Sequence, residues 1–368
     1  MSAGDGASYA PSGSRRAVVG PGELRFAALG LDHGHINGMC NGLTEAGAEL
    51  ALVYDPDPAK VAALCAQHPG AEPAASAQQV LDDPSIALVA SAAVPADRAG
   101  IGLRVLAHGK DYFVDKPPLT SLDQLEAVRA AVASTGRRYA VYYSERLHVE
   151  CAVFAGQLVA EGRIGRVVQV LGLGPHRMNA RSRPEWHFRP ARTGGILCDI
   201  GSHQVEQFLY YTGARGASVT SSRVANYHNP EHPLFEDFGD CCLVADNGAV
   251  GYFRVDWLTP DGLASWGDGR TVLLGTEGYI ELRKYLDVAR DPAGDQLYVV
   301  DGTREEHLAL RGKVGFPFFG ELVLDCLERT ERSMSQEHAF RAIELAITAE
   351  QGALRLGALA GTEPPQPA

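Results

Sequence analysis

A short stretch in the second half of the chain, GGILCDIGSHQVEQ, carries three residues that could perform acid–base chemistry. Asp199 and His203 are four residues apart, and Glu206 follows three residues later. On a helix this spacing places all three on one face. A carboxylate one turn from an imidazole can orient the ring and raise its basicity, which a base that removes a hydroxyl proton needs. The spacing therefore predicts that His203 is a general base supported by Asp199.

The same spacing leaves two other interpretations open. Asp, His and Glu side chains on one helix face could bind a divalent metal, as in a sugar isomerase or a metal hydrolase. Alternatively, Asp199 only stabilises the positive end of the helix and His203 packs in the interior. The rest of the chain has to decide between these interpretations.

A lysine in the first half of the chain stands where it could share this site. In YFVDKPPLT, Lys116 follows an apolar strand and precedes two prolines. Ligands of open α/β sheets bind outside the carboxyl ends of the strands, so a lysine held there by a restricted backbone could contact a substrate. Pro95, which ends another strand in SAAVPADRAG, could lie at the same edge under a nicotinamide ring.

The loop after the first apolar strand matches a dinucleotide-binding turn only in part. Leu24 to Leu29 lead into GLDHGHI, where Gly30 occupies the first glycine position. Asp32 and His35 occupy the next two glycine positions of the fingerprint. Taken alone, the loop is also compatible with an ordinary strand end that leads into a helix with polar caps.

The residues around this loop bear on cofactor and metal binding. Asp55 ends the second strand, 25 residues after Gly30. This is close to the spacing of an acid that binds a ribose diol and repels a 2′-phosphate. His33 and His35 flank Gly34, so we expect their side chains to point in different directions and to suit a shared metal poorly.

The elements that must position these residues change character along the chain. From residue 23 to 145, the apolar runs LRFAALG, ELALVYD, IALVASA, YFVDK and RYAVYYS alternate with helical stretches. Strands buried on both faces read as continuous apolar runs, and alternation with helices requires parallel pairing. Residues 23–145 are therefore predicted to form a Rossmann-type, doubly wound parallel sheet.

The second half, residues 146–360, shows longer strands and hairpin signals. Asn247-Gly248 lies between two β-rich runs, and TVLLGTEGYIELRK and LYVVDGTREEHLAL resemble further hairpins. FFGELVLDCLERT and EHAFRAIELAITAEQGALRLGAL have helical patterns. We predict an α+β domain with a mostly antiparallel open sheet, with helices on one face of it.

Length and composition exclude several classes of protein. The 368 residues are enough for two domains with separate cores, and no apolar run approaches the ~20 residues that span a bilayer. A formal charge of −12 argues against nucleic acid or an anionic membrane as a partner. The seven cysteines are scattered, which predicts reduced thiols in a cytoplasmic enzyme. Residues 1–22, rich in Ser, Gly, Ala and Pro, are expected to be a disordered tail, and 361–368 a second tail.

Four features, taken in order, resemble the Gfo/Idh/MocA family of NAD(P)-dependent oxidoreductases, which includes glucose-fructose oxidoreductase and inositol dehydrogenase. They are Gly30, Asp55, the DKP tripeptide at 115–117 and GGILCDIGSH at 194–203; the last two match the family motifs EKP and GGGxxxDxGxH. The similarity covers residues 23 to 360. The chain departs from the family pattern at three positions, where Arg98 stands near a usual histidine, Asp115 replaces a glutamate and Glu206 replaces a common aspartate.

The resemblance implies a catalytic set of Lys116, Asp199 and His203. It also implies a cis peptide bond at Lys116-Pro117. Asp55, with no adjoining arginine to receive a 2′-phosphate, favours NAD over NADP as the cofactor. The expected cofactor contacts are Gly30, Asp32, His33, Gly34, His35, Asp55, Pro95 and Lys116. The expected substrate contacts are Arg146, Trp186, His187, Arg189, Arg192 and Glu206, and no metal is expected.

The expected activity is that of an NAD-dependent dehydrogenase acting on a secondary hydroxyl of a sugar, cyclitol or related polyol. Two alternatives remain, an NAD-dependent glycosidase that oxidises its substrate transiently and a dinucleotide-sensing regulator without catalysis. The expected partners are a small-molecule substrate and further copies of the chain, in a homodimer or homotetramer joined through the C-terminal sheet. Neither nucleic acid nor membrane is expected as a partner.

Overall fold

A computed structural model describes residues 6–11 and 17–357 of the chain, which contain two β-sheets. The strands of the first sheet are β1 Arg25–Leu29, β2 Glu49–Tyr54, β3 Glu72–Pro73, β4 Leu88–Ser91, β5 Asp111–Asp115 and β6 Tyr139–Tyr142. They are all parallel and lie in the spatial order β3-β2-β1-β4-β5-β6. This is the predicted doubly wound sheet, and its strand order reverses between β1 and β4.

Local sequence signals explain where the helices of this half begin and end. The helices are α1 His35–Glu45, α2 Pro58–Gln67, α3 Ala77–Asp82, α4 Pro95–Ala107 and α5 Leu122–Thr135. Ser76 and Ser121 cap α3 and α5 by accepting a hydrogen bond from a first-turn N–H. Pro95 occupies the first turn of α4, where its missing N–H costs nothing, and Gly136 ends α5 in the left-handed conformation.

The second sheet is mixed and mostly antiparallel, as predicted. Its strands are β7 Val167–Pro175, β8 Ala217–Ala225, β9 Phe238–Ala245, β10 Val250–Asp256, β11 Arg270–Gly275, β12 Gly278–Arg283, β13 Gln296–Asp301, β14 Glu305–Ala309 and β15 Leu354–Arg355. They lie in the order β14-β13-β12-β11-β7-β10-β9-β8-β15. The predicted hairpin at Asn247-Gly248 joins β9 to β10, and Gly248 has a φ of 87°. The β11–β12 and β13–β14 hairpins were also predicted correctly.

The helices of the second half fill one face of this sheet and the seam between the two halves. They are α6 Ser144–Leu147, α7 Glu150–Ala160, α8 Pro190–Thr193, α9 Ile196–Asp199, α10 Gly201–Thr212, α11 Pro317–Glu328 and α12 Gln336–Gln351. Three short 3-10 helices lie at Gly6–Ser8, Ala180–Ser182 and Glu185–Phe188. The prediction that the last helix continues to residue 359 was wrong. It ends at Gln351, because the next residues pair as β15 with the edge strand β8, and tertiary pairing overrides local helix propensity.

The two faces of the second sheet differ. Small residues on one face let α10 approach closely: a Cβ atom on Gly172 or Gly251 would clash with Gln204 or Phe208 of that helix. On the other face, large apolar side chains stay more than a third exposed, as Leu274 (43%) and Tyr279 (42%) do. Helices therefore cover one face only, as expected.

The structure corrects the expectation that residues 1–22 form a disordered tail, for those residues of the segment that it describes. Residues 6–11, called the N-terminal strap below, pack between the two halves of the molecule. A Cβ atom on Gly6 would lie 2.9 Å from the Trp266 ring, and the Tyr9 ring lies 5.3 Å from that of Tyr285. The aromatic side chain of Tyr9 supplies the buried area that a composition-based prediction of disorder overlooks. Residues 1–5, 12–16 and the second expected tail, 361–368, lie outside the described residues.

The sequence predicts no segment that spans a bilayer, and the lengths and hydropathy of the helices bear on this prediction. Within residues 6–11 and 17–357, no helix is long and apolar enough to cross a bilayer.

Candidate active site

Lys116 and Asp199 meet where the two halves of the chain face each other. Lys116 follows the carboxyl end of β5, and its Nζ lies 2.8 Å from Oδ1 of Asp199, which ends α9. The Lys116-Pro117 peptide is cis, as predicted. Arg98 donates to the carbonyl oxygens of Lys116 and Pro117 and thereby fixes the turn that presents the lysine. The contact joins residues 83 positions apart in the chain.

The structure does not show the predicted pairing of Asp199 with His203. The prediction that both residues lie on one face of a single helix was wrong. Among the described residues no hydrogen bond joins them, because α9 ends at Asp199 and a new helix begins at Gly201. Asp199 instead accepts from Lys116. Burial raises the pKa of Asp199, but the Lys116 charge and hydrogen bond outweigh it and hold the pKa below its usual value.

His203 is buried in the first turns of α10 and has only 2% of its surface exposed. Burial is the main cause that lowers its pKa to about 3. The imidazole is therefore neutral near pH 7 and can accept a proton. Its Nδ1 atom is buried and forms no hydrogen bond within the described part of the chain.

Two of the expected substrate residues form a buried ion pair instead of lining the cleft. Arg146 Nε donates to both carboxylate oxygens of Glu206, at 2.7 and 2.9 Å. His338 also contacts this carboxylate, at 3.1 Å. With Glu206 committed to Arg146 and Asp199 to Lys116, the Asp199, His203 and Glu206 side chains do not form the metal site that their spacing allowed.

A small cavity of about 20 Å³ lies beside the Lys116–Asp199 pair and is called the candidate substrate cavity below. Of the expected substrate residues, Trp186 and His187 line it. Arg189 and Arg192 do not, because they pair with Glu185 and with Asp97 at the surface. The remaining lining residues are Gly6, Ala7, His33, His35, Pro95, Arg98, His176, Arg183 and Trp257.

His176 and the N-terminal strap are the cavity residues that sequence reasoning missed. His176 directly follows β7, and its Nδ1 atom lies 3.1 Å from the carbonyl oxygen of Gly174. Burial lowers the pKa of His176 to about 4, so this ring is also neutral near pH 7. The position of a histidine at a strand end next to the cleft is a signal that could have identified it. Nothing in the sequence marks Gly6 and Ala7 as cavity residues.

The loop after β1 has the backbone features of a dinucleotide site. Gly30 has a φ of 78°, and a Cβ atom there would lie 2.7 Å from Cβ of Ala93, so only glycine fits. Asp55 is buried and accepts N–H hydrogen bonds from Leu31 and Asp57, at 2.7 and 2.9 Å. Each carboxylate oxygen keeps a lone pair for a further donor.

Lys60 is a second residue at this loop that sequence reasoning missed. Its Nζ atom lies 2.6 Å from Asp32 and 3.7 Å from Asp55. Asp32 also accepts from the N–H of Val94, at 3.2 Å, so it links the loop to the start of α4. A cation therefore adjoins the two acids that could face a ribose.

His33 and His35 converge, which corrects the expectation that they point apart. Both contact the carboxylate of Asp115, at 3.3 and 2.9 Å, and their rings are 4.2 Å apart. The reason is that His33 lies in the turn before α1 and His35 begins the helix, so a strand-like alternation does not apply.

The same three side chains have ligand atoms within 4.8 Å of one another, a spacing that could hold a metal ion. However, Arg98 donates to the same Asp115 carboxylate, at 3.0 Å, and only 1% of its surface is exposed. Burial would raise the pKa of Asp115, but His35 and Arg98 hold it well below the usual range. A fixed guanidinium already supplies the positive charge, so the cluster is better explained as an ion-pair network that supports the loop.

These features together fit a bound dinucleotide. The loop lies where the strand order reverses, which is where such ligands bind in doubly wound sheets. At the start of α1, the N–H of His35 donates to Nδ1 of His33 at 3.3 Å, and the N-terminal strap lies against Gly34, where a Cβ atom would clash with the carbonyl oxygen of Ala7. Asp32 and Asp55 lie together beside Gly30 at this loop, while Pro95 and Lys116 line the candidate substrate cavity.

Comparison with protein families gives matches in both halves of the chain. Residues 15–143 match the family model described as the oxidoreductase family, NAD-binding Rossmann fold. Residues 153–281 match the model of the GFO/IDH/MocA C-terminal domain.

Individual proteins with similar sequence or structure agree with these matches. A solved structure from Erwinia carotovora atroseptica SCRI1043, described as a candidate oxidoreductase, is 53% identical and has a TM-score of 0.88, covering 91% of this chain and 100% of its own. The scyllo-inositol 2-dehydrogenase (NAD(+)) of Bacillus subtilis is 27% identical over 70% of this chain and 73% of that protein. The D-xylose dehydrogenase of Paenarthrobacter nicotinovorans is 25% identical over 39% of this chain and 38% of that protein.

Proposed function

This chain belongs to the Gfo/Idh/MocA family of NAD(P)-dependent oxidoreductases, and we propose that it oxidises a secondary hydroxyl group of a sugar, cyclitol or related polyol. The observation that carries the proposal is the Lys116–Asp199 contact at the edge of the cavity, with the neutral His203 in the next helix. The relatives that are named as inositol and xylose dehydrogenases support this class of substrate.

The proposed reaction assigns one role to each of three side chains. His203 removes the hydroxyl proton, for which its neutral imidazole is suited. The Lys116 ammonium donates a hydrogen bond to the reacting oxygen and stabilises the negative charge that develops on it. Asp199 holds Lys116 in place. NAD, when bound, supplies the hydride acceptor.

The residues that would hold the cofactor also bear on the choice between NAD and NADP. Asp55 has lone pairs available for a ribose diol and would repel a 2′-phosphate, which favours NAD. Lys60 beside it partly offsets this repulsion, since its ammonium lies within 4 Å of both acids. We propose NAD as the preferred cofactor, with Lys60 reducing the margin over NADP.

A screen of sugars and inositols with NAD and with NADP, followed by NADH or NADPH absorbance, tests this function. We expect reduced cofactor to accumulate with at least one cyclitol or sugar, and faster with NAD. Release of a sugar from a glycoside without net NADH would instead identify a glycosidase with transient oxidation. Tight NAD binding without turnover on any substrate of the screen would support a dinucleotide-sensing regulator.

A further inference from the structure

We propose that Glu145, held by Lys284, is the positioning residue that orients His203, a role that rests on the proposed dehydrogenase function. The sequence pattern suggested Asp199 for this role, but Asp199 is committed to Lys116. The structure leaves His203 without a hydrogen-bonded carboxylate in its own helix, and the carboxylate we assign to it is that of Glu145 in α6.

Glu145 and Lys284 form an ion pair that is almost completely removed from solvent. Lys284 Nζ donates to Oε2 of Glu145 at 2.9 Å, and the exposed fractions of the two side chains are 0% and 2%. The side-chain amide of Gln204 donates to the same oxygen, at 2.8 Å. A charged pair this deep requires further hydrogen bonds, and the bond from Gln204 is one of them.

The hydrogen bonds of Lys284 place this pair against the face of α10 that carries His203. Lys284 also donates to Oε1 of Gln207, at 2.8 Å. Gln207 follows His203 by one helical turn, and its amide donates to the His203 carbonyl oxygen at 3.0 Å. Residues one turn apart share a helix face, so the ion pair and the imidazole lie on the same side of α10.

Glu145 and His203 each have one buried polar atom without a hydrogen-bond partner among the described residues. These atoms are Oε1 of Glu145 and Nδ1 of His203. Buried polar atoms are rarely left unsatisfied, and these two are complementary, since an imidazole with its proton on Nδ1 donates to a carboxylate. The two atoms do not bond directly in the structure, so we assign the contact through one buried water, which needs a polar site of this kind. It leaves the Nε2 lone pair free to accept the substrate proton.

The charges around His203 point to the same residue. Burial lowers the pKa of His203, and Lys116, His35 and His176 lower it further, whereas Glu145 raises it. Burial raises the pKa of Glu145, but Lys284 and then His203 bring it well below its usual value. Glu145 therefore stays ionised next to the imidazole. The Tyr143 ring, 6.2 Å from the His203 ring, is the aromatic neighbour and adds no charge while protonated.

The reaction then balances without any further group. The substrate O–H proton would pass to Nε2 of His203, and NAD, when bound, would supply the acceptor for the C–H hydride, so that a ketone and an imidazolium result. Glu145 stabilises the imidazolium through the Nδ1–H proton, which does not need to move. Lys284 prevents Glu145 from taking that proton.

The test is nitrogen-15 NMR of the imidazole groups in the full chain without cofactor, with the His203 signal assigned from His203→Ala. We expect the proton on Nδ1 in the wild-type protein. In Glu145→Gln the preference for the proton on Nδ1 should fall. The kcat should decrease about 10- to 100-fold, as it does when other residues that orient a histidine are replaced. NAD affinity should stay within about twofold of the wild-type value.

Two further variants separate positioning from folding. The double variant Glu145→Met with Lys284→Met removes both buried charges together, which a protein tolerates better than the loss of one. Like Glu145→Gln, it should show a weaker preference for the proton on Nδ1 and a lower kcat. Asp325→Asn, a buried carboxylate that bonds Ser333 in a distant loop, should lower stability without moving the His203 signal. A wild-type proton on Nε2, or an unchanged signal and kcat in the double variant, would overturn the proposal. If the wild-type protein reduces no cofactor, the dehydrogenase function fails, whereas the NMR signal still reports the Glu145–His203 contact.

Discussion

Replacement of Lys116 by Met should separate stability from catalysis at the central ion pair. The charges of Lys116 and Asp199 lie 2.8 Å apart, with side-chain exposures of 6% and 16%. With an effective dielectric constant of about 20, their attraction is roughly 6 kcal/mol, most of which offsets the desolvation of both groups. Loss of one partner leaves the other charge buried alone. Lys116→Met and Asp199→Asn should each lower the free energy of unfolding by about 3–5 kcal/mol.

The double variant Lys116→Met with Asp199→Asn should recover much of that stability, because no unpaired charge remains. Turnover should not recover. The lysine is needed for charge stabilisation at the reacting oxygen and Asp199 is needed to hold it there, so all three variants should lose about 100- to 10,000-fold in turnover, without additivity. Stability and rate would then respond differently to the same pair of substitutions.

Urea unfolding and turnover, measured on the same preparations, provide the assay. Lys110→Met is the matched control, since Lys110 lies just before the other end of β5 and donates to backbone carbonyls of Asp83 and Ile86. It should lower stability and leave turnover per folded molecule unchanged. Additive destabilisation in the double variant, or near-normal turnover in folded Lys116→Met, would refute the reasoning.

Three further predictions follow from other contacts. Burial and then the charge of Glu236 raise the pKa of Glu350 to about 8, above its ordinary value of 4.5. Its contribution to stability should therefore be complete below pH 4.5 and be lost as the pH rises through about 8, and unfolding of Glu350→Gln should show a weaker pH dependence over that interval. Asp55→Ala should weaken NAD binding more than NADP binding in a fluorescence titration, and tighter NADP than NAD binding by the wild type would contradict the role of Asp55. The exposed apolar face of the second sheet predicts a homodimer or homotetramer that Leu274→Glu dissociates; a wild-type monomer in light scattering at micromolar concentration would argue against it.

The sequence alone was sufficient to predict the features that depend on local patterns. The alternation of strands and helices identified the doubly wound sheet, and Asn247-Gly248 identified a hairpin. Gly30 was recognisable because the close approach of Ala93 allows only glycine at that position. The cis peptide bond at Lys116-Pro117 was expected from the family resemblance.

The pairings of the buried charges could not be predicted from the sequence. Asp199 bonds a lysine 83 residues away rather than the histidine four residues away, and Glu206 bonds an arginine 60 residues away. Helix spacing predicts which side chains share a face, but it does not predict what another element brings to that face. The N-terminal strap was missed for a similar reason, since the surface that buries Tyr9 is formed by Trp266 and Tyr285.

The central claim, that His203 is the base of a dehydrogenase, is tested most directly by turnover of His203→Ala per folded molecule. NAD affinity and melting temperature are measured on the same preparations, with a substrate identified by the screen. We expect a loss of about 100- to 10,000-fold in turnover, with NAD affinity nearly unchanged. A folded His203→Ala protein with near-normal turnover would contradict it, and a lower melting temperature alone would identify His203 as a packed interior residue.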